Sequence, residues 1–133
     1  MQEAVRALPQ GTEGDSENTV GCRLAHARIG NSKDECRKAS AFGGGACGGK
    51  CEVFCDAVDK NCIQAGTAPY PSKSTCFEAC TPMTYDPAGS EGTQQPLDGT
   101  DTLNCRMYHL LLSLDDQPGH CPHTGIPSAT CNK

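Results

Sequence analysis

Two short stretches of the chain share one pattern: residues 19–26 read TVGCRLAH, and residues 102–109 read TLNCRMYH. Both fit T-x-x-C-R-x-x-H, and the cysteine and histidine of each lie four positions apart, which places them on one face of a helix. Two more cysteines follow each stretch at similar intervals: Cys36 and Cys47 follow Cys22, and Cys121 and Cys131 follow Cys105. The pattern indicates a repeating cysteine framework that starts partway through a unit.

Five further cysteines lie between the two stretches: Cys51, Cys55, Cys62, Cys76 and Cys80. Their helical spacing predicts two helices, each with C-x3-C. If these helices are antiparallel, bridges Cys51–Cys80 and Cys55–Cys76 are preferred, because both pairs then advance by an equal step of about 6 Å. The alternative, Cys62–Cys76 with Cys55–Cys80, needs unequal steps. The other pairings stay open, since eight cysteines alone allow about 105 connectivities.

Composition favours a fold held by disulfides. Leu, Ile, Val and Phe make up only about 14% of the 133 residues, whereas the chain has 11 cysteines. Such a chain needs covalent restraint to offset its conformational entropy. Disulfides in this number predict an extracellular, cell-surface or periplasmic location. The net charge of -5 argues against a nucleic-acid partner, and the longest apolar run, residues 110–112, is too short to span a membrane.

The expected fold is small, mainly α and disulfide-rich, with long loops. Short helices are predicted at about 18–29, 50–62, 73–81 and 101–114. Asn18 is the expected cap of the first and Gly30 its end, and Thr100 or Asp101 is the expected cap of the last. We expect a flexible arm over residues 1–17, a partial repeat over 18–49 and a cysteine-rich helical module over 50–133. The glycine-rich residues 42–49 are expected to form a flexible connector, and residues 84–101 a long surface loop.

From Cys51 onward these motifs form one recognisable unit: C-x3-C-x6-C, a turn at Tyr70, C-x3-C, the TLxCRxYH stretch and HCPH at residues 120–123. It resembles repeated cysteine-rich modules in predicted secreted proteins of bacteria, over about residues 51–131. Residues 18–47 are similar to the tail of a preceding unit, with Glu35 and Lys38 where His120 and His123 would stand. The resemblance implies architecture and location only, because that family has no established activity.

Three histidines form the one candidate binding site: His109, His120 and His123. Imidazoles suit zinc, copper and nickel, and three of them could bind an ion in an oxidised protein. The alternative is that His26 and His109 are structural and hydrogen-bond beside a disulfide. The spacing is not that of a standard zinc motif, so no cofactor is expected beyond a possible copper or zinc ion.

Arginine follows the cysteine in both stretches, at Arg23 and Arg106. It either binds an anion or partner, or ties backbone carbonyls or a carboxylate such as Asp115 or Asp116 within the module. The odd number of cysteines leaves one thiol over, which we expect to be Cys22, Cys36 or Cys47.

The leading functional hypothesis is a non-enzymatic extracellular module that interacts with other protein chains of a larger secreted or surface assembly. Metal or redox-cofactor binding through the histidines is the second hypothesis, and a small secreted hydrolase is the third. Residues 42–48 loosely resemble the calcium loop of secreted phospholipases A2. However, the helix that follows contains no histidine, so the sequence offers no catalytic acid–base pair and no catalytic residues are assigned.

Overall fold

The computed structural model describes residues 8–86, 99–128 and 130–131, and the chain forms two compact units, residues 1–53 and 54–133. The fold is small, mainly helical and disulfide-rich, as the sequence predicts. The described α-helices, in chain order, are α1 Val20–Ile29, α2 Lys33–Lys38, α3 Lys50–Val58, α4 Lys73–Cys80, α5 Leu103–Leu112 and α6 Gln117–His120. Single turns of other helical types are Gly43–Gly45, Asp59–Ile63 and Cys121–Thr124. None of the described helices is long and apolar enough to cross a membrane.

The two T-x-x-C-R-x-x-H stretches begin their helices in the same way. The Thr19 hydroxyl accepts a hydrogen bond from the Cys22 amide at 3.1 Å, and the Thr102 hydroxyl accepts one from the Cys105 amide at 3.1 Å. The threonine of the motif is therefore the N-cap in both, one or two positions later than the caps expected from the sequence. Gly30 ends α1 in the left-handed conformation at φ 49°, as predicted.

The described part of the N-terminal segment is not the loose arm that the sequence suggested. The Val20 amide donates to the Pro9 carbonyl at 3.0 Å, and the Gly21 amide donates to the Gln10 carbonyl at 2.8 Å. The approach is so close that a Cβ on Gly21 would lie 2.5 Å from the Thr12 backbone. Residues 8–17 therefore pack on the start of α1, and residues 1–7 lie outside the described residues.

The glycine-rich segment 42–49 is likewise packed and is not a flexible connector. Phe42 is buried, and Gly43, Gly44 and Gly45 all adopt positive φ, a conformation that other residues rarely reach. The glycines allow a tight turn that brings Cys47 next to α1, where Cys47 forms a disulfide with Cys22. Of the expected loop 84–101, residues 87–98 lie outside the described residues.

Ten of the eleven cysteines are disulfide-bonded, and Cys36 is free and exposed. Four of the bridges are Cys22–Cys47, Cys55–Cys76, Cys62–Cys121 and Cys105–Cys131. The second of these is a pairing preferred from the sequence, and the alternative Cys62–Cys76 is wrong. Cys51 and Cys80 are also disulfide-bonded, and their bond to each other stays a prediction.

Candidate metal centre

The three histidines singled out in the sequence lie together in the second unit. The Nδ1 atom of His109 is 3.3 Å from Nδ1 of His120 and 3.3 Å from Nδ1 of His123. One ring nitrogen of each residue lies within 4.8 Å of those of the other two. His109 is buried, whereas His120 and His123 are half-buried. The group is therefore a partly enclosed set of nitrogen ligands that an ion can reach.

Three consecutive elements supply these side chains. His109 lies in the last turn of α5, His120 is the last residue of α6, and His123 lies in the turn Cys121–Thr124. The Asp116 carboxylate caps α6 by accepting a hydrogen bond from the Gly119 amide at 3.1 Å. The sequence predicted neither α6 nor the turn after it, because each is only four residues long and carries a proline.

Cys121, between His120 and His123, is bonded to Cys62, which closes 59 residues of chain. On the chain-entropy model, a bridge of this span stabilises the fold by about 4 kcal/mol. The bridge also fixes the backbone from which the two flanking imidazoles project. The distance between the His120 and His123 imidazoles therefore depends on the Cys62–Cys121 bridge, and not only on the four-residue helix α6, which is weakly stable by itself.

Two hydrogen bonds fix the backbone carbonyls of His123 and of the residue after it. The buried Tyr70 hydroxyl donates to the Thr124 carbonyl at 2.8 Å, and the Ser128 hydroxyl donates to the His123 carbonyl at 2.9 Å. Burial raises the pKa of Tyr70 to about 12, although the charge of Arg106 acts in the opposite direction. Tyr70 therefore stays a neutral hydrogen-bond donor at physiological pH.

The arginine of the second motif supports the same turn. Arg106 is fully buried and donates to the carbonyls of Gly125 and Thr102, at 3.0 and 2.9 Å, and to the Asp101 carboxylate at 2.9 Å. Its carboxylate partner is therefore Asp101, and the expectation of Asp115 or Asp116 is wrong. The residue is structural, and its contact with Gly125 holds the backbone two residues after His123.

In the first unit, Arg23 acts in the same way. It donates to the carbonyls of Thr19, Ser40 and Ala41 and to the Asn18 side chain, at 2.8 to 2.9 Å. Both arginines therefore tie a helix N-terminus to a distant loop, as the structural interpretation of the motif predicts.

The histidine of the first motif has a different partner. Nδ1 of His26 lies 2.6 Å from a Glu35 carboxylate oxygen, and the Lys38 ammonium lies 3.1 Å from the other oxygen. The hydrogen bond from His26, and after it the one from Lys38, lowers the pKa of Glu35. Lys38 in turn donates to Asp34 and Glu35, and these contacts raise the pKa of Lys38. His26 therefore belongs to an ion-pair network, whereas His109 faces two imidazoles.

Two other groups combine a histidine with two cysteines: Cys22, His26 and Cys47, and Cys105, His109 and Cys131. In both, the two sulfurs form a disulfide and so provide no thiolate to coordinate a metal. Among the described residues, the three-histidine group is the one of these three groups that contains no disulfide-bonded sulfur.

No protein-family model, curated protein or solved structure matches this chain. Its chemistry is therefore inferred from its own residues.

Proposed function

We propose that this protein is a non-enzymatic extracellular or periplasmic module that binds a transition-metal ion, zinc or copper, through His109, His120 and His123. The observation that carries the proposal is the convergence of their Nδ1 atoms at 3.3 Å about His109. The disulfide framework supports an oxidising compartment, where imidazole is a ligand that needs no reduced thiol.

The distances suit coordination better than hydrogen bonding. Two nitrogens bound to one zinc ion at about 2.0 to 2.1 Å in tetrahedral geometry lie about 3.3 Å apart. An N–H donor normally comes closer, to about 3.0 Å. Nδ1 of His109 also faces two other nitrogens, and it cannot be donor and acceptor at once because a neutral imidazole nitrogen is only one of these.

The two distances at His109 also bear on which ion is bound. Tetrahedral coordination with three imidazoles and one exchangeable ligand is a common zinc arrangement. Copper(II) prefers tetragonal geometry, in which adjacent nitrogens lie about 2.9 Å apart, but it binds nitrogen sites with higher intrinsic affinity. Zinc is thus the better geometric match, and copper is its main competitor.

The first unit provides an internal comparison. Glu35 and Lys38 stand at the positions that the sequence aligns with His120 and His123. Glu35 forms an ion pair with Lys38 and also contacts His26. In the first unit, the opposite charges of these side chains hold them together without a metal ion. In the second unit, a bound metal ion would hold the three imidazoles together.

The test is metal binding by the intact oxidised chain with Cys36→Ser, which removes the free thiol as a competing ligand. After chelator treatment, zinc is titrated calorimetrically and the retained metal is counted by mass spectrometry. We expect one ion per chain. We also expect His120→Ala and His123→Ala each to weaken binding by at least about 100-fold, since even supporting residues around a metal typically contribute 10- to 100-fold.

His26→Ala is the matched control, because it removes the histidine from the same motif position in the other unit. It should leave zinc affinity unchanged. Substoichiometric binding, or equal loss in the His26 and His120 variants, would contradict the proposal.

A further inference from the structure

Both copies of the T-x-x-C-R-x-x-H motif place the histidine beside a disulfide. In each copy, one ring nitrogen of the histidine and the two sulfurs of the bridge lie within 4.8 Å of one another. The bridges close similar spans of chain, with sequence separations of 25 and 26. We name these sets the first and second cysteine–histidine groups: Cys22, His26 and Cys47, and Cys105, His109 and Cys131. The three-histidine site does not account for this shared arrangement, because it uses only one of the two motif histidines.

With its bridge reduced, each group has the ligands of a zinc site. Two thiolates and one imidazole bind zinc in tetrahedral geometry and leave the fourth position for water. In that geometry the two sulfurs lie about 3.8 Å apart, and each lies about 3.6 Å from the nitrogen. The ligand atoms of each group already lie within 4.8 Å of one another. Small side-chain movements are therefore enough to place all three around one ion.

Contacts other than the bridge also bring the third ligand to the helix. The cysteine and histidine of each motif lie four residues apart on one helix, so they share a face. Arg23 ties α1 to the loop before Cys47 through the carbonyls of residues 40 and 41. Arg106 ties α5 to the segment before Cys131 through the carbonyl of residue 125. The second cysteine is thus held near each motif by hydrogen bonds that do not involve sulfur.

The sulfurs of both groups are buried, with the four cysteines at most 1% exposed. A reductant therefore reaches either bridge only when its unit opens. The dithiol form of each group accordingly belongs to the chain before its bridges have formed. A buried thiolate is costly without a compensating charge, and a bound divalent ion supplies that charge.

We propose that, before the bridges form, each cysteine–histidine group binds one zinc ion and thereby holds together the two cysteines that later form its disulfide. The first site is independent of the three-histidine site. The second site uses His109, which belongs to the three-histidine group in the oxidised chain. The arginine, the cysteine and the histidine of the motif then have the same roles in both units.

Formation of the bridge releases the ion through thiol–disulfide exchange with an oxidant that is itself a disulfide. One cysteine thiolate attacks a sulfur of the oxidant, whose S–S bond breaks to leave a mixed disulfide and one thiolate. The second cysteine thiolate attacks the mixed disulfide, so that the bridge forms and the other oxidant thiolate leaves. The chain loses two electrons, the oxidant gains them, and its two thiolates take protons from solvent. The zinc ion leaves because a disulfide provides no thiolate ligand.

The test uses the full chain with Cys36→Ser, fully reduced by a phosphine that is then removed without oxygen. Thiols are alkylated with iodoacetamide at a series of buffered free-zinc concentrations, and mass spectrometry follows each cysteine. We expect the four cysteines of the two groups to be alkylated at least about tenfold more slowly than Cys55 and Cys76, the slowing given by free zinc at about ten times the Kd. Cys55 and Cys76 are the internal control, because they form a buried bridge of separation 21. Among the described residues, no histidine forms a ligand group with them.

Two variants separate histidine-assisted binding from binding by thiols alone. His26→Ala should remove the protection of Cys22 and Cys47 and leave the second group protected, whereas His109→Ala should do the reverse. Absence of protection, equal protection of Cys55 and Cys76, or unchanged protection in His26→Ala would overturn the proposal. Zinc binding by the oxidised chain tests the three-histidine site separately, because neither group has a thiol there.

Discussion

Replacing Arg106 by lysine should both destabilise the second unit and weaken its metal site. The buried guanidinium donates to three acceptors in different directions, and a lysine ammonium has neither the reach nor the planar geometry to replace them all. Two of the acceptors are carbonyls: that of the buried Gly125, and that of the half-buried Thr102, which also accepts a hydrogen bond from the Arg106 amide at 3.5 Å. Leaving a buried carbonyl unsatisfied costs about 1 to 3 kcal/mol.

The third acceptor, Asp101, adds little, because its side chain is 66% exposed and water can replace the arginine there. The expected loss is therefore about 2 kcal/mol in the free energy of unfolding, mainly from the Gly125 carbonyl, against the roughly 5 to 15 kcal/mol typical of a folded domain. Because Gly125 lies two residues after His123, we also expect zinc affinity to fall by about tenfold, as for other residues that support metal ligands.

Denaturant titration followed by circular dichroism measures the first effect, and calorimetric zinc titration measures the second. Arg23→Lys is the matched control, because Arg23 makes equivalent contacts in the first unit. It should be destabilising without changing zinc affinity. The reasoning fails if Arg106→Lys changes unfolding by less than about 0.5 kcal/mol, the usual range for a surface substitution, or if both variants weaken zinc binding equally.

Three further predictions concern other parts of the chain. Tyr70→Phe should cost about 1 kcal/mol of unfolding free energy, and ultraviolet titration should lose a tyrosine that ionises near pH 12. The pKa of Glu35 lies below its ordinary value of 4.5, so its stabilising contribution is present above that pH and disappears as the pH falls through the lowered pKa; thermal unfolding of Glu35→Gln should lack this acid dependence. Finally, non-reducing peptide mapping should recover Cys51 joined to Cys80. If either is joined to another cysteine, the pairing predicted from equal cysteine spacing on two antiparallel helices is wrong.

The sequence predicted the four longer helices because their cysteines and histidines recur with helical spacing. It placed the caps of α1 and α5 too early for a reason that the structure makes clear. Asn18 and Asp101 are good capping residues, but their side chains accept hydrogen bonds from Arg23 and Arg106. The threonines that follow them cap the helices. The preference for such an arginine contact depends on the tertiary fold and has no local signature.

Other features were beyond local reasoning. The six residues of α2 are almost all charged, and the helix is stabilised by a Ser32 cap and by ion pairs of Asp34 with Arg37 and Lys38. No apolar periodicity marks it. The bridge Cys62–Cys121 joins residues that are 59 apart, so spacing alone could not single it out among the possible pairings.

The sequence predicts which histidines form the site, but it does not predict how they are arranged. Three imidazoles of the right chemistry were visible at positions 109, 120 and 123, but their meeting point depends on α6, on the turn after it and on the bridge at Cys121. The structural interpretation of the motif histidine describes His26, which contacts Glu35. Identical motifs therefore lead to different environments through residues nine or more positions away.

X-ray absorption spectroscopy of the zinc-loaded, oxidised chain tests the proposed coordination most directly. We predict three imidazole nitrogens and one oxygen ligand at about 2.0 to 2.1 Å, with the outer-shell scattering of imidazole rings. A sulfur neighbour at about 2.3 Å, or the signature of a single imidazole, would show that His109, His120 and His123 do not bind the ion together.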